Sequence, residues 1–72
     1  MDKATFKEIL KRAGYTIDTD VDIPTVLLVG ATNDEIKKTF FEVKLFAQKK
    51  GYHHSISVKN LKEENANEHA DN

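Results

Sequence analysis

The sequence predicts a small α+β domain, a two-layer arrangement running helix, short edge strand, strand, helix, strand. It includes a right-handed parallel βαβ crossover and ends in a disordered acidic C-terminal tail. Three observations carry that prediction. Apolar residues recur at helical spacing in residues 2–13 and again in residues 36–47. Between these stretches lies Thr25-Val26-Leu27-Leu28-Val29, a strand pattern that is apolar on both faces. Composition then changes sharply near Leu61, beyond which only Ala66 and Ala70 are apolar.

The first helix is expected from about Asp2 to Ala13. Phe6, Ile9, Leu10 and Ala13 fall on one face at i, i+3, i+4 and i+7, while Lys3, Lys7, Lys11 and Arg12 sit largely off it. Asp2 suits the positive end of the helix dipole, and Gly14 supplies the left-handed residue that commonly ends a helix. Tyr15-Thr16-Ile17 is a brief edge strand at best, running into the acidic loop Asp18-Thr19-Asp20-Val21-Asp22. Pro24 biases Ile23 towards extended backbone, and Thr25–Val29 is the clearest strand. A strand apolar on both faces belongs in the middle of a sheet with both sides covered.

Thr32 and Glu35 have the spacing of a capping box, which opens the second helix. Ile36, Phe40, Val43 and Ala47 form its apolar stripe with Phe46 at the edge, and Lys49, Lys50 and Gly51 close it. The last strand is expected at Ser55-Ile56-Ser57-Val58, with one wet face. An internal echo supports this parsing. Ala13-Gly14-Tyr15 and Lys50-Gly51-Tyr52 each end a helix with Gly and follow it with a Tyr placed to pack back on the last turn.

Two packings satisfy these elements. Either the helices cover opposite faces of the sheet, or both lie on one face and leave the other side of Val26–Val29 to a second subunit. The second helix poses a related question. At 100° per residue, Phe41 and Leu45 lie about 140–180° from the Ile36/Phe40/Val43/Ala47 stripe, so the two sets cannot face one sheet. Either the first helix packs on Phe41 and Leu45, or these residues form an exposed apolar patch rimmed by Lys37, Lys38, Lys44 and Gln48.

Length and charge narrow the function classes. A chain of 72 residues holds one small domain, here residues 1–61, followed by the acidic tail 62–72. Lys62 against Glu63, Glu64, Glu68 and Asp71 gives the tail −3, which leaves residues 1–61 at +2 out of the total of −1. That balance excludes a strongly basic nucleic-acid coater. With no cysteine, disulfides, cysteine–zinc sites and thiol catalysis are excluded. Val26-Leu27-Leu28-Val29 is far short of the ~20 residues that span a bilayer. Asp2, Lys3 and Lys7 interrupt any N-terminal apolar core, so no signal peptide, no membrane partner and a cytoplasmic location are expected.

Several partial motifs fall short of a site. Val26-Leu27-Leu28-Val29-Gly30-Ala31-Thr32 opens like a dinucleotide-binding turn, but Thr32 and Glu35 stand where further glycines are needed, and Glu35 aims a carboxylate at the pyrophosphate position. Asp18-x-Asp20-x-Asp22 matches the start of a calcium loop, yet Ile23 and Val29 occupy its essential Gly and Glu positions. His53 and His54 are adjacent and point to opposite faces of an extended chain, so they do not chelate together. No third group orients either one against Ser55 or Ser57 for nucleophilic chemistry. Neither catalytic residues nor a cofactor or metal is expected. The lysines of the second helix spread around its circumference, and Arg12 is the only arginine, so nucleic-acid binding ranks second to protein binding.

Lys50-Gly51-Tyr52-His53-His54-Ser55-Ile56, closing a lysine-rich helix, together with the chain's size and acidic tail, resembles small uncharacterised proteins encoded in prophages of Gram-positive bacteria. The resemblance implies a cytosolic accessory or regulatory protein that acts by binding. The sequence therefore predicts a non-enzymatic protein-interaction module that binds a protein partner or itself. Its candidate surface comprises Lys37, Lys38, Phe41, Lys44, Leu45 and Gln48.

Overall fold

The structure, a computed structural model, describes residues 1–62 and contains α1 (Lys3–Arg12), β1 (Thr25–Val29), α2 (Asn33–Lys50) and β2 (Ser57–Leu61). Apart from Lys62, the expected acidic tail lies outside the described residues. Both helices begin on a side-chain cap. Asp2 Oδ1 accepts from the Thr5 amide at 2.8 Å ahead of α1. Thr32 and Glu35 form the reciprocal capping box of α2, at 2.7 Å from the Thr32 amide to Glu35 Oε1 and 3.1 Å from the Glu35 amide to Thr32 Oγ1.

Both helices also end alike. Tyr15 N donates to Leu10 O and Gly14 N to Lys11 O, while Tyr52 N donates to Ala47 O and Gly51 N to Gln48 O. These are the paired 6→1 and 5→2 bonds of the Schellman ending, and they require a left-handed residue in the middle. Gly14 at φ +102° and Gly51 at φ +85° supply it. The echo seen in the sequence is thus one physical device used twice.

β1 and β2 pair in parallel, in register from Thr25↔Ser57 to Val29↔Leu61. On the opposite edge of β1 the expected edge strand is reduced to a single antiparallel bridge, Ile17↔Val26, flanked by Asp18 N to Thr25 O and Leu27 N to Thr16 O. The Asp18 carboxylate then accepts the Asp20 amide at 2.9 Å, turning the chain away after that one pair. The final strand begins at Ser57 and runs to Leu61, two to three residues beyond the expected Ser55–Val58. The Tyr52 hydroxyl donates to Ser55 O at 2.8 Å and holds that carbonyl in the connecting stretch. At the far end, Asn60 accepts from Ala31 N and donates to Ala31 O, both at 3.0 Å, so its amide stands in for one more rung of the ladder.

The core comprises Phe6 and Leu10 from α1, Ile17, Val26 from β1, Val43 and Ala47 from α2, and Tyr52. Phe6 and Tyr52 stack with ring centroids 4.4 Å apart and planes 5° from parallel. Leu28 and Val58 pack against this cluster, whereas Leu27, Val29 and Leu61 do not. Side chains alternate across a strand, so both helices lie on the Val26/Leu28/Val58 face. Of the two packings open to the sequence, this is the one with both helices on one side. It corrects the expectation that β1 is covered on both faces, since Val29 on the opposite face is 64% exposed. Phe40 is corrected too. It is 39% exposed because the stretch from His53 to Ile56, which includes the first two residues of the expected strand Ser55–Val58, lines an open cleft beside it.

The caps make stability acid-sensitive. Glu35 is held below the usual carboxylate range chiefly by the Thr32 amide, Asp2 by hydrogen bonding from Thr5, and Asp22 by Lys3 at 2.7 Å. Groups with lowered folded pKa values contribute stability above their unfolded pKa and lose it as pH falls through the folded one. Melting temperature is therefore expected to decline below about pH 4. Glu35→Gln keeps an acceptor but removes a titrating group, so thermal melts across the acid range should show a shallower decline for that variant.

Candidate protein-docking surface

The side of α2 turned away from the core carries Phe41 and Leu45 one helical turn apart. At this spacing the two side chains form a continuous patch. Phe41 is 64% exposed and Leu45 49%. Lys37, Lys38, Lys44 and Gln48 are also exposed, so all the residues of the sequence-derived surface reach solvent. α1 does not cover them. It packs on the other side of α2, where Phe6 lies 6.1 Å from Phe46 and stacks on Tyr52.

The patch has two different borders. On one, Tyr15, Glu42, Phe46 and Lys49 join Leu45 and Gln48 around a mostly apolar hollow, with the Tyr15 hydroxyl donating to Glu42 Oε1 at 3.2 Å. Burial, and then the Glu42 charge, push the Tyr15 pKa up, so the phenol stays a neutral donor. On the other, Lys44 and Gln48 flank the cleft lined by Phe40, His53, His54 and Ser55. Among the described residues, Lys37, Lys38 and Lys44 have no carboxylate within 4.0 Å. This lysine border of the patch is positively charged among the described residues, while Glu42 and Lys49 stand on the other.

The partial motifs take other roles. Glu35 sits on the α2 amide that an anion would need. Asp18 faces Asp20's amide and, at 4.0 Å, Lys59, while Asp22 pairs with Lys3. His54 meets the Tyr52 ring edge-on at 5.4 Å. Among the described residues, no three His, Asp or Glu side chains converge as a metal site would require. No described helix is long and apolar enough to cross a membrane.

No family model, curated protein or solved structure matches this chain. Its functional reading rests on the chemistry of its own surface.

One apolar surface is only half legible in the sequence. One of the two packings open to the sequence leaves the side of β1 opposite the helices to a second subunit, and Leu61, the register partner of Val29, belongs with it. Leu61 is exposed beside Val29, while Val21 and Ile23 are exposed near Thr25 and Ser57 at the other end of the strands. Leu61 escaped notice because the last strand was expected to stop at Val58. The signal available was the apolar residue itself, three beyond that end.

Proposed function

We propose that this chain is a non-enzymatic, cytosolic protein-interaction module, of the accessory kind implied by its resemblance to prophage proteins. Its docking surface is the outer face of α2. The observation supporting this reading is the exposed Phe41/Leu45 pair bordered by Lys37, Lys38 and Lys44, which have no carboxylate within 4.0 Å among the described residues. An apolar centre within a charged rim is the anatomy of a protein interface. It selects a partner with an apolar contact point bordered by Asp or Glu. The rim would steer encounter, and the buried aromatic would supply most of the affinity.

The test is a Phe41→Asp/Leu45→Asp double variant used beside wild type as bait in the native host. Neither side chain belongs to the core, so stability should move by no more than about 0.5 kcal/mol per site. Capture of the partner should fall by about 30-fold or more, the loss expected when a central aromatic contact is removed. Bands retained by the double variant would refute the α2 surface. Duplex binding at low salt that vanishes on Lys37→Glu/Lys38→Glu would instead move the reading to nucleic acid, because phosphate contacts are strongest there.

A further inference from the structure

The cleft beside Phe40, formed by α2 and the segment that joins it to β2, has a volume of about 350 Å³, at the lower end of the range for small-molecule sites. Its apolar part is Ala47 and Tyr52, both buried, half-buried Ile56, and the exposed ring of Phe40. Its polar part is Lys44, Gln48, His53, His54 and Ser55, and no Asp or Glu among the described residues lines it. Lys44 has no carboxylate within 4.0 Å among the described residues.

The backbone here is lopsided in the same sense. Tyr52 N donates to Ala47 O and Gly51 N to Gln48 O, and the Tyr52 hydroxyl donates to Ser55 O. The amides of His53, His54, Ser55 and Ile56 donate to no protein acceptor among the described residues. Acceptors along the cleft are thus engaged while donors remain, and such donors beside an ammonium group favour a negative ligand. α2 brings the negative end of its dipole to this place, but the two Schellman bonds, with Lys49 and Lys50, offset it. The segment is also held in shape, by the Tyr52–Ser55 bond and by the His54 ring set edge-on to Tyr52 at 5.4 Å.

From these observations we infer that the cleft binds a small phosphate monoester carrying one flat ring, with the ring against Phe40 and the phosphate towards Lys44 and residues 53–56. Phosphate suits the donor set better than carboxylate. It offers three strong acceptor oxygens to an ammonium, two imidazoles, a hydroxyl and the open amides. The exposed Phe40 ring supplies a face on which a planar group can lie. The cleft shares Lys44 and Gln48 with the border of the α2 docking surface, but Phe41 and Leu45 do not line it.

Amide NMR titration with phenyl phosphate tests this. Signals of residues 53–56, Phe40, Lys44 and Gln48 should move together and saturate with a Kd of about 1 mM, as befits a small ligand in an open site. Lys44→Ala and Phe40→Ala should each weaken binding about fivefold. Lys37→Ala removes the same charge from α2 outside the cleft and should change nothing. Should Phe40→Ala fail to fold, Phe40→Leu keeps the apolar bulk without the flat ring and should weaken binding likewise. Inorganic phosphate should bind about tenfold more weakly, and benzyl alcohol, a ring without the charge, should not move these signals. Adenosine monophosphate in a parallel titration distinguishes a nucleotide from an aryl ester, and tighter binding of either supports the inference. Shifts absent from the cleft, equal losses in Lys37→Ala and Lys44→Ala, or inorganic phosphate binding as tightly as phenyl phosphate would overturn it. The α2 docking surface stands or falls separately, since its test reads partner capture by Phe41 and Leu45.

Discussion

Phe6→Ala should abolish the cooperative thermal transition. Phe6 is fully buried, stacks on Tyr52 and touches the α2 side of the core through Phe46. Truncating a buried phenylalanine costs about 3–5 kcal/mol in lost transfer energy and cavity formation. A core of this size, without disulfides, supplies about 3–5 kcal/mol in all. The loss therefore equals the whole stability, and far-UV circular dichroism should show an unfolded chain at room temperature. Phe41→Ala removes the same atoms from the outside of α2 and should leave the transition nearly where it was. Comparing the two melts tests the burial pattern directly. Tyr52→Phe sharpens it, since losing only the hydroxyl bond to Ser55 should cost about 1 kcal/mol.

Gly51→Ala should destabilise the domain by about 1–2 kcal/mol, purely through backbone conformation. Nothing lies within 4 Å of the position its Cβ would take, so no clash contributes. The cost comes from holding an L-residue at φ +85°. Gly51→Asn should recover part of it, because asparagine visits the left-handed region more readily than alanine. Gly14 has the same open surroundings and positive φ, so Gly14→Ala should behave alike. Urea melts would decide this. An alanine variant as stable as wild type would mean that the Tyr15 and Tyr52 turns do not need the left-handed residue.

These examples show what was legible in the sequence. The helix ends were readable because a Schellman turn is written within six residues, and Gly14-Tyr15 and Gly51-Tyr52 carry the whole signal. The capping box at Thr32 was readable for the same reason. The limits of β2 were not. Ser55-Ile56 and Ser57-Val58 alternate identically, and the choice between them is made by pairing with Thr25 far along the chain. Asn60 looks like a turn residue in sequence, yet its amide extends the ladder to Ala31. The place of α1 was also hidden. An amphipathic stripe says that a helix packs, but not on which neighbour. Consequently the sequence could pose the question of Phe41 and Leu45, and only the position of α1 leaves them uncovered.

The Phe6–Tyr52 stack sets the order in which the protein comes into being. α1 precedes β1 and α2 in the chain, so its core partners Val43, Ala47 and Tyr52 emerge only after α2 is nearly complete. Until then Phe6 and Leu10 have only Ile17 and Val26 of their buried core neighbours. The nascent chain carries a sticky amphipathic helix until Tyr52 is made, and closing the fold means joining distant stretches. Contacts so far apart slow folding relative to a helical bundle of similar length. A fragment ending before Tyr52 should display that helix to solvent and aggregate.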